Sequence, residues 1–134
     1  GQVTSGTNAV TQRAAITALT GDMRPTAMMV TEFTKRRKRV LELVAEIPGM
    51  VCSEPQGAFY IFPEVSNFFG KADGEDKIDN ADDLCMYLLN KAHVSTVTGK
   101  AFGAPNCIRL SFANSMENIE KGFSKIKEAL AKLK

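Results

Sequence analysis

One arginine of this chain lies where charged side chains are uncommon. Arg109 is part of residues 107–112, whose apolar, β-branched and aromatic composition is typical of a β-strand. Side chains alternate along a strand, so Ile108, Leu110 and Phe112 share one side and Arg109 projects from the other. A partly desolvated guanidinium is stabilised when a carboxylate or phosphate accepts from its planar pair of donors. The position therefore suggests an anion-binding residue.

Two structural interpretations of Arg109 stay open at this point. It could form an ion pair with an Asp or Glu of the same domain, or lie on a water-facing side of the sheet. Other catalytic patterns are absent from the sequence, which has no glycine-rich nucleotide fingerprint, no P-loop lysine and no histidine paired to a nucleophile. We predict no metal site, since His93 is the only histidine and suits a helix end. The three cysteines are predicted to be ordinary buried thiols: Cys52, Cys85 and Cys107.

The elements that must position Arg109 are predicted from periodicity and from helix start and stop signals. We expect helices at 12–19, 25–47, from Asn80 to 92, and after Ser115, with strands at 50–52, 58–62, 94–98 and 107–112. The strand at 58–62 is predicted to be buried on both faces, and residues 70–80 to form a surface loop. This order of elements indicates an α/β fold.

Apolar residues at helical spacing predict the faces that line the core. In the three longer helices they are Met29, Phe33, Val40, Val44 and Ile47; Leu84, Leu88 and Ala92; and Ile119, Phe123, Ile126, Leu130 and Leu133. The basic run at 35–39 surrounds a helix rather than gathering on one side, and the net charge is only +2. We therefore predict a solvated helix face and no nucleic-acid partner. No apolar run is long enough to span a membrane, and a cytoplasmic location is expected.

Four segments in register resemble one enzyme family. Residues 55–60 read P-Q-G-A-F-Y and are similar to the P-x-G-A-F-Y segment of class I and II aminotransferases. Residues 99–103 and 108–113 resemble the G-x-x-F-G and I-R-L-S-F-A segments that follow in that family. Residues 115–119 resemble the start of the family's terminal helix. Residues 2–5, together with Gln12 and residues 14–15, resemble the stretch that soon follows its cofactor-binding lysine.

The resemblance implies the small C-terminal domain of a fold-type I enzyme of the aspartate aminotransferase family, with helices packed on a short mixed sheet. Residues 1–24 would form the edge of the large cofactor-binding domain and residues 25–134 the small domain. The family implies a homodimer that binds pyridoxal phosphate as a Schiff base. Its substrates are an amino acid and a 2-oxo acid, with aspartate and 2-oxoglutarate as the expected pair.

Arg109 matches the family's arginine that binds the substrate α-carboxylate. The family's lysine lies in an S-x-S-K segment that this chain lacks, so no catalytic or cofactor-binding residue is assigned here. The chain alone is expected to be inactive and not to bind pyridoxal phosphate. It departs from the family pattern at Thr98 and Asn106, where proline and glycine are common. A related lyase or synthase and a cofactor-free α/β binding module remain alternatives.

Overall fold

A computed structural model describes residues 5–134. Residues 2–4, which contribute to the resemblance at the start of the chain, lie outside the described residues. The chain divides into two compact units, Gly1–Glu32 and Phe33–Lys134. The division falls eight residues beyond the predicted boundary at 24/25, and the assignment of residues 1–24 to a large domain stays a prediction.

The first unit consists of helix α1 (Ala9–Thr20) and the beginning of α2 (Arg24–Ala45). Asn8 begins α1, where its Oδ1 accepts a hydrogen bond of 2.9 Å from the backbone N–H of Thr11. Every residue from 5 to 32 is exposed. Met29, which was predicted to face a core, is 55% exposed, and that part of the prediction was wrong. Helical periodicity identifies an apolar face but not the presence of a partner for it.

The second unit contains two small sheets. Strands β1 (Tyr60–Ile61), β4 (Val97–Thr98) and β5 (Ile108–Ser111) form a sheet in the order β1-β5-β4, and β2 (Ala72–Asp73) pairs with β3 (Asp76–Lys77). All strand pairs in residues 5–134 are antiparallel, which corrects the predicted mixed sheet. For β4 and β5 the physical reason is their short connection, because a parallel pair of strands would require a long crossover.

The region predicted as a strand at 58–62 is paired only at β1, and only part of it is buried. Ile61 is buried, whereas Phe59 and Phe62 are 40% and 36% exposed. The prediction of burial on both faces was wrong because only one face of this antiparallel sheet lies on the core. The predicted strands at 50–52 and 94–98 are likewise reduced to a bridge between Val51 and Glu64 and to β4.

The core lies between the sheet and the helices of the second unit. Helix α3 (Ala81–Tyr87) continues as a π-helix to Ala92, and α4 (Met116–Leu130) closes the fold. Apart from Met29 and the partly buried Phe33, the residues predicted to line the core are buried. The predicted surface loop at 70–80 contains the β2-β3 hairpin and the buried residue Ile78.

Three residues predicted at helix ends lie there in the structure. Asn80 Oδ1 accepts from the backbone N–H of Asp82 at 2.8 Å, and Ser115 Oγ accepts from that of Asn118 at 3.2 Å. His93 ends the π-helical segment in a left-handed conformation, with φ of +55°. Its prediction as a helix-end residue is confirmed.

The basic run at 35–39 is less solvated than predicted. Arg39 Nε donates to Glu120 at 2.8 Å, which connects α2 to α4, and Arg37 donates to the carbonyl of Pro55 at 2.9 Å. These arginines are half-buried because their long apolar stems cover neighbouring surface. The three cysteines are free, and the prediction of buried thiols was only partly right, because each of them is half-buried. No helix within residues 5–134 has the length and apolar character needed to cross a membrane.

Candidate functional site

Arg109 lies in the middle strand of the three-stranded sheet. It pairs with Val97 of β4, and β1 borders the other side of β5. Ile108 and Leu110 are buried on the core side, whereas Arg109 is half-buried on the opposite side. The alternation predicted from the sequence is confirmed.

Two aromatic rings flank the Arg109 guanidinium. Its Cζ lies 4.4 Å from the centroid of the Tyr60 ring and 4.6 Å from that of Phe102. Tyr60 belongs to β1, and Phe102 ends the 3-10 helix Gly99–Phe102 that follows β4. Strand β1 on one side of β5 and the 3-10 helix after β4 on the other therefore each supply a ring to the same cation, at distances typical of cation–π contacts.

No carboxylate of the described chain pairs with Arg109. None of its side-chain nitrogens forms an ion pair or a hydrogen bond with residues 5–134. Lys100, the nearby cation of the following loop, lies 3.5 Å from Asp82. The interpretation of Arg109 as part of a structural ion pair is thus not realised within this chain. Its planar donor set is available to an anion.

The loop that carries Phe102 depends on two glycines. The backbone N–H of Gly99 donates to the carbonyl of Cys107 at 2.7 Å, which closes the loop. A Cβ on Gly99 would overlap the carbonyl oxygen of Ala104 and come within 2.6 Å of that of Cys107. Gly103 has φ of +77°, a left-handed conformation that disfavours side chains. The G-x-x-F-G spacing therefore sets the position of the ring.

The two departures from the family pattern preserve this loop. Thr98 has φ of −60°, the value that proline would impose, and its Oγ1 accepts from the backbone N–H of Lys100 at 3.3 Å. Asn106 does not have a positive φ and so does not require glycine. Its carbonyl accepts from the backbone N–H of Val65 at 2.9 Å. Neither substitution alters the surroundings of Arg109.

Sequence reasoning identified Arg109 but missed its aromatic neighbours as site residues. Tyr60 and Phe102 both lie in the motifs that carried the resemblance, which was the available signal. They are 42 positions apart, and only the strand order β1-β5-β4 brings their rings to the same guanidinium.

Comparisons with known proteins agree on one family. The family model described as "Aminotransferase class I and II" matches residues 1–126. A "Bifunctional aspartate aminotransferase and glutamate/aspartate-prephenate aminotransferase" from Petunia hybrida is 41% identical over 99% of this chain and 29% of its own length. An aspartate aminotransferase from Streptomyces avermitilis is 37% identical over 90% of this chain and 29% of its own length.

Solved structures show the same similarity in three dimensions. The crystal structure of an aspartate aminotransferase from Rhizobium meliloti superposes with a TM-score of 0.92 and 33% identity, covering 99% of this chain and 34% of that one. The α/β fold and the arrangement of helices on a short sheet are thereby confirmed. The chain spans about three tenths of the length of these curated relatives.

Proposed function

The chain belongs to the class I and II aminotransferases, and we propose that the complete protein transfers an amino group between an amino acid and a 2-oxo acid. The observation that carries the proposal is the Arg109 guanidinium, held by two rings and unpaired with any carboxylate of residues 5–134. Relatives named as aspartate aminotransferases support aspartate as the amino donor, and we propose 2-oxoglutarate as the acceptor from the resemblance to the family. A product analysis distinguishes transfer from the elimination expected of a related lyase.

In this proposal Arg109 binds the α-carboxylate of either substrate. A guanidinium donates two parallel hydrogen bonds to a carboxylate, which determines the orientation of the bound molecule as well as its affinity. Holding the carboxylate at one end leaves the Cα–H bond in a defined direction for the reaction. Arg109 thus contributes orientation, and no acid–base step is assigned to it.

No lysine of residues 5–134 has the surroundings expected of one that binds pyridoxal phosphate. A lysine that reacts with a carbonyl cofactor is activated by desolvation or by a neighbouring cation. No charged side chain of residues 5–134 is buried. We therefore propose that the cofactor, which supplies electron withdrawal, is held by parts of the complete protein outside this chain, and that the chain alone is inactive. A homodimer and the large-domain edge at residues 1–24 are further proposals drawn from the family.

The substitution Arg109→Lys in the complete protein tests the role of this residue. We expect kcat/KM for amino acids and 2-oxo acids to fall together, by an amount that corresponds to about 2–4 kcal/mol of lost transition-state stabilisation. Truncating one partner of a buried charge pair has a cost of this size. Amines without a carboxylate should lose little, and the cofactor should stay bound. The matched control is Arg24→Lys, because Arg24 is an exposed arginine paired with Asp22. Wild-type kinetics with amino acids, or loss of the cofactor, would contradict the assignment.

Titration of the 134-residue chain with pyridoxal phosphate tests the cofactor proposal. We expect only weak, scattered labelling of surface lysines, since none is buried. A saturable and stoichiometric absorbance band that maps to one lysine would contradict it.

A second acceptor is favoured by the names of several relatives. The proteins from Petunia hybrida and Nitrosomonas europaea carry prephenate in their names, with 41% and 35% identity to this chain. Prephenate bears a 2-oxo acid group that presents the same carboxylate to Arg109. Comparing kcat/KM of the complete protein for prephenate and 2-oxoglutarate decides between the two acceptors.

A further inference from the structure

We propose that Tyr60 and Phe102 are positioning residues that hold the Arg109 guanidinium in the orientation needed to bind a carboxylate. This inference rests on the proposed function, because it assigns a role to the surroundings of the same arginine. It is drawn from the two ring contacts at 4.4 and 4.6 Å.

An aromatic contact restrains an arginine without using its hydrogen-bond donors. The arginine side chain has many rotamers, and ordering it when substrate binds costs conformational entropy. Packing against Tyr60 and Phe102 orders the guanidinium beforehand, whereas an ion pair with an internal carboxylate would compete with the substrate. The absence of any hydrogen bond from the Arg109 side chain to residues 5–134 fits this arrangement.

The ring of Phe102 is itself held by further contacts. Its centroid lies 6.1 Å from that of Phe62, with the ring planes at 86° in an edge-to-face arrangement. A Cβ on Gly99 would come within 2.9 Å of the Phe62 ring. The tight loop therefore supports Phe62, which contacts Phe102, which in turn contacts Arg109.

The Phe102 ring is not one of the residues that stabilise the fold of this chain. Phe102 is 52% exposed and is not part of the hydrophobic core. Removing an exposed ring should cost the fold little, since most of its surface already contacts solvent. Within this chain, Phe102 therefore lies beside the Arg109 cation without contributing to the hydrophobic core.

Substitution of Phe102 in the complete enzyme tests the inference. We expect Phe102→Leu to lower kcat/KM for amino acids and 2-oxo acids by about three- to tenfold, mainly through KM, as for loss of one partly exposed cation–π contact. Tyr60→Leu should act in the same direction. The matched control is Met86→Leu on α3, because Met86 is 55% exposed, a fraction close to that of Phe102, and this variant should retain the wild-type KM. Amines that lack a carboxylate should react as with wild type.

Two further measurements separate positioning from structural damage. In an Arg109→Gln background, Phe102→Leu should change kcat/KM by less than about twofold, because the two residues act as one unit. Fluorinated phenylalanines at position 102, which keep the shape but weaken the ring's attraction for a cation, should raise KM in steps. Equal losses with and without Arg109, equal losses with amines, or no response to ring fluorination would overturn the proposal. Failure of the proposed function is distinguishable, because product analysis of the wild-type protein would then show no transfer of an amino group to a 2-oxo acid.

Discussion

The two units of the chain carry similar local signals but differ in burial. In residues 5–32, two helical segments present large apolar side chains such as Leu19, which is 83% exposed, and no residue is buried. In Phe33–Lys134, the helices and the sheet enclose one continuous hydrophobic core. Both units contain apolar side chains at helical spacing. Only the second unit also contains the surfaces against which those side chains pack.

Helix α1 has a capping residue but no buried face, so its cap must act without tertiary packing. Asn8 caps α1 with the same side-chain hydrogen bond that Asn80 forms at the start of α3. An isolated helix of about 12 residues is nevertheless marginal in water, because nucleation is costly and propagation adds little per residue. Stability should therefore reside in the second unit.

Amide hydrogen exchange provides the test with the largest expected effect. Amides of residues 108–112, such as that of Phe112 bonded to the Phe59 carbonyl at 2.9 Å, should exchange only by global opening. The free energy of global opening is several kcal/mol for a domain of this kind. The free energy of opening for amides of residues 9–20 should be close to zero. Uniform protection of both segments in a monomer would remove the distinction between the units.

Truncation of one leucine in each unit sharpens the same contrast. Leu84 is fully buried in α3, so Leu84→Ala should lower the free energy of unfolding by about 2–5 kcal/mol. Leu19→Ala, the matched control in α1, should change it by less than about 0.5 kcal/mol. Urea unfolding followed by circular dichroism gives both values. Similar losses for the two variants would indicate that α1 is packed in solution.

The elements with clear periodicity or capping residues could be predicted from the sequence. The long helix, the caps Asn80 and Ser115, and the apolar face of α4 were all placed correctly. Strand lengths and sheet direction could not, because pairing depends on partners distant in the chain. The same limit explains Phe62, whose apolar type gave no indication that its side of the sheet is exposed.

Half of the candidate site followed from the sequence. Arg109 was singled out because a charge within an apolar strand is unusual, and its assignment as a binding residue came from the match of residues 108–113 to the family's I-R-L-S-F-A segment. Its aromatic partners were not identified as such, since their meeting requires the order β1-β5-β4. The basic run at 35–39 shows the same limit for ion pairs. A run of like charges in the sequence does not reveal that Arg39 pairs with Glu120 of a distant helix.

Removal of one cap in each unit should give intermediate effects. Asn80→Ala removes the acceptor for two backbone N–H groups and should lower the free energy of unfolding by about 1 kcal/mol. Asn8→Ala removes the equivalent acceptor in α1 and should leave the midpoint of the cooperative transition unchanged, while reducing helical content. A shift of the midpoint by Asn8→Ala would show that α1 unfolds together with the core.

The smallest expected effect concerns two residues with left-handed backbone, one in each unit. His93 has φ of +55° and Ser5 has φ of +49°. A non-glycine residue with left-handed backbone costs the folded state roughly 1–2 kcal/mol. Glycine avoids this cost, but it increases the entropy of the unfolded chain, which lowers the free energy of unfolding by about 0.4–1 kcal/mol. His93→Gly should therefore raise the free energy of unfolding by about 0.5–1 kcal/mol, since His93 ends a helix that packs on the core. Ser5→Gly should leave it unchanged, because strain in a segment outside the cooperative core does not enter the global transition. Urea midpoints of the two variants and the wild type provide the measurement, and a stabilising Ser5→Gly would mean that both units unfold as one.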